Sequence, residues 1–556
     1  MTDQLRILIV GGVAGGASCA ARARRISESA EIIMFDRGPY VSFANCGLPY
    51  YVGDVIKQEE NLLVASPELF RQRFNIDVRL HTEVVNIDPA QRCLTVKNRQ
   101  SGENRIEPYD ALVLSPGARS IRPQLPGLDL PGIFSLRTIP DSRQIRNWID
   151  HHRARRAVVV GGGYIGMEIT DNLLKRGLLV TVVEKQSQVM PVVDPEMIAE
   201  VHDALLHAGV SLWLNDSVVR FDQGRAHTLD VTLASGQCIP TDLVVFCIGV
   251  TPETELAVKA GLAIGDHGGI RVDAQMRTSD PRIWAVGDAV EVYDVVTRTA
   301  GVIPLAGPAN RQGRIAADVI LGRDRAFRGV QGTSVVGILD LVIAFTGPSE
   351  KRLRQLGQWD ELEKVYLYPG HAAGYYPGAQ PISIKLIFDR RDGRVVSAQA
   401  VGKSGVEKRI DVISMAIQNQ ATVFDLEEAE LCYAPQFGTA KDPVNLAGMI
   451  AANVLRGDIR LAHWEAVNDS QALILDVRTP DEFNRDHVEG AVNIPLDDLR
   501  QRMHELPKDR EIWTYCFVGQ RSYFATRALI QYGFDSRNIS GGFKTFTLHE
   551  SSQYLG

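Results

Sequence analysis

The sequence predicts a multidomain α/β fold, and three observations predict it. Twice, near residues 5–36 and 157–184, a short apolar run enters a glycine-rich turn, passes into a helix and emerges as a second apolar run ending in a carboxylate. That order builds parallel β-α-β units whose strands are covered on both faces. From about residue 326 the pattern shifts to runs that read as antiparallel strands followed by helices, and a further α/β unit begins near 465. At 556 residues the chain has room for three to five domains of roughly 100–200 residues each.

In order along the chain, strands are expected at Leu5–Val10, Glu31–Phe35 and Ala111–Leu114, with a helix at Ala17–Ile26. The second unit comprises strand Ala157–Val160, a helix to about Lys175 and strand Leu179–Val183; strands Leu243–Cys247 and Arg282–Val286 follow. The α+β module comprises strands Val335–Ala344, Lys364–Tyr368, Ser383–Phe388 and Val395–Ala400, then helices Gly405–Asn419 and Asp442–Leu455. Residues 456–464 read as a polar connector. Strands Ala472–Asp476, Ala491–Ile494 and Ile512–Cys516 and a helix at Arg521–Tyr532 form the last unit.

Composition bounds the function. Hydrophobic residues make up 45% and charged residues 23%, ordinary values for a globular chain and not for collagen, coiled coil or disorder. A net charge of −7 gives no footprint for nucleic acid. Seven cysteines are scattered at 19, 46, 93, 238, 247, 432 and 516. An odd set without Cys-x-x-Cys implies neither a disulfide framework nor a structural zinc site, and no metal is expected. The opening MTDQLRILIVGG lacks a secretory leader pattern, and no run of 18 apolar residues occurs. The expectation is a cytoplasmic protein without membrane segments.

The two glycine turns point to two Rossmann-like dinucleotide-binding domains. In Gly11-Gly12-Val13-Ala14-Gly15-Gly16, Gly11 permits the tight turn and Gly16 close helix–strand packing, so the helix start can offer amides to a pyrophosphate. Asp36, followed by Arg37, is placed to take an adenosine ribose. The middle glycine of the usual pattern is Val13. The second turn is a full G-x-G-x-x-G, Gly161 to Gly166, including Gly163, Tyr164 and Ile165. Glu184 follows at the distance where a carboxylate pairs with a ribose 2′-hydroxyl and repels a 2′-phosphate, so NADH is expected over NADPH.

With two further segments, these sites resemble the FAD- and NAD(P)H-dependent disulfide reductases. Tyr109 to Ala118, containing Ser115-Pro116-Gly117, resembles the family's strand that returns from the inserted NAD-binding domain. Arg282 to Asp288, ending in Gly287-Asp288, resembles the segment whose aspartate binds the flavin ribityl chain. Most members carry Cys-x-x-x-x-Cys after the second strand, but here Ser42 to Tyr51 holds only Cys46, with Tyr51 at the partner position. A lone cysteine must cycle through a mixed disulfide, a persulfide or a sulfenic acid. Its place before a possible helix start is expected to stabilise the thiolate.

SFANCGLPYY is similar to the coenzyme A disulfide reductases, and more narrowly to fused relatives that reduce persulfides. This resemblance implies CoA contacts at Ser18, Arg22, Arg25, Ser42, Asn45 and Lys441, and at Asn310, where some members have His. It implies catalytic tyrosines Tyr375 and Tyr433 contributed by a partner subunit, hence a homodimer with shared active sites. The ordered set Leu475–Arg478, His487–Pro495, Tyr515–Ser522 and Gly541–Phe543 resembles a rhodanese domain, in which Cys516 would carry sulfur with Arg521 at the loop end. The implied layout is an FAD-binding domain at 1–120 and 250–325, an NAD(H)-binding domain at 121–249, an α+β dimerisation domain at 326–455 and a rhodanese domain at 465–556.

The expected function is FAD-dependent reduction of CoA persulfide, CoA disulfide or related sulfane sulfur by NADH through Cys46, coupled to sulfur transfer. Alternatives are an NADH peroxidase or oxidase working through a sulfenic acid, and a redox-sensing sulfur-relay protein. Peroxidases and oxidases of the family usually place His where Ala14 stands.

Overall fold

A computed structural model describes residues 4–224 and 228–554, and it divides into two compact units. Unit 1 comprises residues 1–183 and 216–332, and unit 2 comprises residues 184–215 and 333–556.

Unit 1 is built on two parallel sheets. The first runs Ile283–Ala285, Ala111–Leu114, Arg6–Val10, Glu31–Phe35 and Asp77–Arg79, with Val10 beside both Leu114 and Phe35. Its central residues Ile7, Leu8 and Ile9 are fully buried, as continuous apolar strands covered on both faces should be. Helix Ala14–Ile26 packs against helix Ala306–Ile320. Their approach is close enough that a Cβ on Gly313 would lie 2.1 Å from the Gly15 carbonyl oxygen. The second sheet brings Leu179–Val183, Arg156–Val160, Leu243–Phe246 and Ile133–Ser135 side by side in parallel, with helix Tyr164–Lys175 crossing over.

Unit 2 contains a five-stranded antiparallel sheet in the order Ser334–Ile338, Leu341–Thr346, Val395–Gly402, Ile382–Asp389, Leu362–Leu367. The expected single strand Val335–Ala344 is thus a hairpin. Its turn at Leu339–Asp340 uses Leu339 at φ 55°, and apolar residues on both sides hide that turn from a pattern reading. A five-stranded parallel sheet follows, ordered Leu461–Ala462, Ser536–Ile539, Ile512–Tyr515, Leu473–Asp476, Val492–Asn493. The expected polar connector 456–464 therefore contributes a strand to this sheet. Ile459, Leu461 and Trp464 are buried, and Trp464 donates its indole N–H to the Gly542 carbonyl at 2.9 Å. Period-two burial between charged residues outweighed the polar average there.

The antiparallel sheet and the C-terminal layer are tied through buried charge. Lys385 Nζ lies 2.8 Å from Asp194, 2.7 Å from Glu196 and 2.7 Å from Glu350. Those three carboxylates converge as a metal site would, but an ammonium stands among them. Lys364 joins Glu350 to Glu465, Tyr366 donates to Glu196, and Tyr368 meets Thr545 Oγ1 at 2.6 Å.

Candidate active site

Both glycine turns fit a dinucleotide. Gly11 sits at φ 91° and Gly161 at φ 105°, and a Cβ there would lie 2.0 Å from Ser115 O or 2.5 Å from Cys247 O. Gly16 and Gly166 let helix meet turn, since a Cβ on either would fall 1.9 Å from the carbonyl oxygen of its turn's first glycine, Gly11 or Gly161. Neither helix start carries a side-chain cap, whereas helices at Pro67, Ile139, Pro443 and Pro480 are capped by Ser66, Thr138, Asp442 and Thr479. A helix start without an N-cap side chain can turn first-turn amides toward an anion, although the Gly16 amide is already given to Ser115 Oγ. Gly12, Val13, Ala14 and Gly15 line the first turn and Gly163, Tyr164 and Ile165 the second. Around Gly163 a Cβ would meet nothing within 4 Å, leaving open space for a cofactor's approach.

Asp36 accepts from the amides of Gly12 at 3.0 Å and Gly38 at 2.8 Å. Burial pushes its carboxyl up against those bonds. Arg37 is held in a bidentate pair by Glu253 at 2.6 and 3.1 Å. Ser115 Oγ accepts from Gly16 N at 3.0 Å, and Pro116 and Gly117 continue that loop. Gly287 N donates to Gln312, and Asp288 accepts from Arg137 at 2.9 Å. In unit 2, Glu184 is buried and accepts from Gln186 N at 2.8 Å.

Cys46 is exposed, on a short 3-10 turn at Asn45–Gly47 that runs into helix Leu48–Val52. Desolvation raises its thiol, Glu168 and Asp288 raise it further, and Arg137 opposes them. This corrects the expectation of a stabilised thiolate: a five-residue helix offers too little dipole to outweigh two carboxylates and lost water. Tyr51, at the position of a second cysteine, is buried with the Arg146 guanidinium 4.6 Å over its ring. All seven cysteines are free. Ser42 adopts φ 47°, and the Asn45 side-chain oxygen is buried without a hydrogen-bond partner. That orphan oxygen is a ready acceptor for a substrate amide.

The predicted CoA residues separate into groups. Ser18 and Asn310 meet across the two packed helices through a side-chain hydrogen bond. Arg22 lies on the same seam, but its guanidinium is taken by buried Asp318 at 2.7 and 2.8 Å, so it is less free for phosphate than helix position suggested. Arg25 and Lys441 are exposed. In unit 2, Tyr375 and Tyr433 hydroxyls stand 3.1 Å apart. The bond to Tyr375 raises the Tyr433 phenol.

Cys516 is buried at the end of Ile512–Tyr515, with Gly519 N donating to its sulfur at 3.2 Å and Arg521 beside it.

Sequence reading missed Glu168, Tyr50 and Arg137. Burial raises Glu168, and Tyr50, 3.3 Å from it, is pushed up to about 12. The only signal was a carboxylate just after the second glycine turn in an otherwise apolar helix start.

Residues 5–313 match the family described as pyridine nucleotide-disulphide oxidoreductase, 333–442 that family's dimerisation domain, and 462–549 a rhodanese-like domain. A coenzyme A disulfide reductase of Staphylococcus haemolyticus is 35% identical over 451 residues, covering 81% of this chain and 100% of that protein. The crystal structure of reduced Bacillus anthracis CoADR-RHD superposes with a TM-score of 0.96 at 46% identity, covering 98% of both chains. A NAD-dependent persulfide reductase from A. fulgidus gives a TM-score of 0.90 at 34% identity, covering 98% of this chain and 100% of that one.

Proposed function

Since this chain belongs to the pyridine nucleotide-disulphide oxidoreductase family, we propose that it is a homodimeric, cytoplasmic flavoprotein reductase that uses NADH to reduce CoA persulfide and CoA disulfide. The observation that carries the reading is Cys46: exposed, in no disulfide, and with buried Tyr51 at the sequence position where a dithiol would have its second sulfur. Among the described residues no helix is long and apolar enough to cross a membrane. The matched dimerisation domain supports the homodimer.

FAD fits the first turn, with Gly11 to Gly16, Asp36, Ser115 to Gly117, Gly287 and Asp288 to hold it. NADH fits the second, with Gly161 to Gly166 and Glu184. When bound, the pair supplies a hydride's two electrons to the sulfur centre. This chain's residues do the rest. Cys46 as thiolate attacks the CoA-bearing sulfur, forming Cys46–S–S–CoA and releasing hydrosulfide from CoA persulfide or CoA thiolate from the disulfide. Asn45 and Ser42 hold the pantetheine end, and Arg25 and Lys441 serve its phosphates. Arg22 stiffens the helix seam through Asp318. On reduction of the mixed disulfide, Tyr433 of the partner subunit, paired with Tyr375, donates a proton to the departing thiolate. Cys516 carries sulfane sulfur in the rhodanese-like layer.

Steady-state NADH oxidation with each sulfur substrate tests this reading. Turnover with CoA persulfide or CoA disulfide, with oxygen consumption absent, supports it. Turnover with oxygen or peroxide alone overturns it in favour of an oxidase or peroxidase.

A further inference from the structure

Arg521, the cation beside Cys516, is bonded to a carboxylate that the sequence reading did not assign, Glu482. The carbonyls of Cys516 and Phe517 accept from Phe543 N at 2.7 Å and Lys544 N at 2.8 Å. Planar trans peptides then turn the N–H groups of Phe517 and Val518 the opposite way. With Gly519 N and the Ser522 hydroxyl on the sulfur at 3.2 and 3.5 Å, the cradle is made mostly of neutral donors.

The cations around it are already matched. Glu482 holds both terminal nitrogens of Arg521, at 2.6 and 2.7 Å. Glu482 is itself fixed by the Thr479 amide and hydroxyl, each at 3.1 Å, as part of the capping box of helix Pro480–Arg485. The bond from Arg521 holds the Glu482 carboxyl at about 2, so it stays ionised at neutral pH. Arg478, stacked 4.1 Å over Phe543, is matched by Asp476 at 2.6 Å.

We propose that Glu482 is a specificity-determining residue: by cancelling Arg521 it makes the Cys516 centre take sulfur from singly charged or neutral alkyl persulfides and discriminate against dianionic thiosulfate. The inference rests on the reading of Cys516 as a sulfur carrier. With either donor the Cys516 thiolate attacks the outer sulfur, the donor's S–S bond breaks, and Cys516 persulfide forms. An alkyl persulfide leaves as thiolate and thiosulfate leaves as sulfite, so no outside oxidant or reductant is needed. The donors differ in the charge brought to the loop, and a nearby fixed carboxylate opposes the dianion more.

The test uses full-length holoenzyme with thiosulfate and 2-hydroxyethyl persulfide, neutral when protonated and singly charged when ionised, reading kcat/KM for persulfide formation on Cys516. The parent favours the alkyl persulfide. Glu482→Gln keeps the side chain's shape and removes its charge, and the thiosulfate-to-persulfide ratio rises about tenfold, mainly through a lower KM for thiosulfate. Glu482→Asp keeps the charge and holds the parent's ratio even where both rates fall. Arg521→Gln moves the ratio the other way. A parent that prefers thiosulfate, or ratios unmoved in both Glu482→Gln and Arg521→Gln, overturns the proposal. A parent loaded by neither donor overturns the carrier reading and this proposal with it.

Discussion

The hydroxyls of Tyr375 and Tyr433 lie 3.1 Å apart although the two side chains are 76% and 49% exposed. Two phenols bonded to each other on an open surface make a proton-bearing pair with a free face. Phe437, also exposed, lies a few residues from Tyr433 in the same unit. Such an apolar, aromatic surface suits a partner subunit.

Tyr433→Phe is therefore expected to slow reoxidation of the reduced enzyme by CoA substrates and to leave NADH reduction of the flavin intact. Stopped-flow traces of the two half-reactions separate them. In heterodimers of Tyr433→Phe with Cys46→Ser subunits, one intact site per dimer is expected. Activity no higher than in the Tyr433→Phe and Cys46→Ser homodimers, with heterodimers verified, contradicts a shared site.

Glu184 should favour NADH. A buried carboxylate opposite a 2′-phosphate costs on the order of 1–4 kcal/mol, which is roughly tenfold or more in kcat/KM. Glu184→Ala should narrow the gap between NADH and NADPH. Equal efficiency with both cofactors in the parent removes Glu184 from this role.

Lys385→Met should destabilise unit 2 by about 3–5 kcal/mol at neutral pH, because Asp194 and Glu196 are left buried without their cation, while Glu350 keeps Lys364 and Arg354. Burial pushes the Glu196 carboxyl up, but Lys385 outweighs it and the group sits at about 2. Glu350 is lowered in the same way. Depressed carboxylates stabilise the parent above their unfolded value near 4.5, and that contribution is lost as pH falls toward 2. In the variant the carboxyls rise, so mild acid should narrow its deficit. Thermal melts from pH 7 to 5 check this, and a deficit that widens with acid contradicts it.

Cys516→Ala should abolish sulfur transfer and leave reduction of free CoA persulfide by NADH largely intact, since unit 1 holds the glycine turns and Cys46. Parallel assays of the two activities check this. Loss of both would mean that Cys46 and Cys516 form one obligatory relay.

The elements that were legible are those where one physical rule acts alone. Glu31–Phe35, Ala111–Leu114 and Leu179–Val183 fall where apolar runs were read, because a strand buried on both faces has little freedom in composition. The hairpin at Leu339 escaped because its turn uses neither Gly nor Asn. Trp464 and Leu461 were hidden by charged neighbours on the opposite face. Within the site, the glycines and Cys46 stand out by residue type. Asp318, Glu168 and Glu482 do not, since their importance comes from the groups they meet across more than thirty residues of chain: Arg22, Tyr50 and Arg521.

The central claim is that Cys46 is the sulfur through which electrons reach the substrate. Rapid mixing of NADH-reduced holoenzyme with CoA persulfide or CoA disulfide, in the parent and in Cys46→Ser, tests it most directly. The account predicts that both proteins bind FAD and are reduced by NADH, that the parent is reoxidised by the sulfur substrate, and that Cys46→Ser stays reduced. Reoxidation of Cys46→Ser at the parent's rate would contradict it.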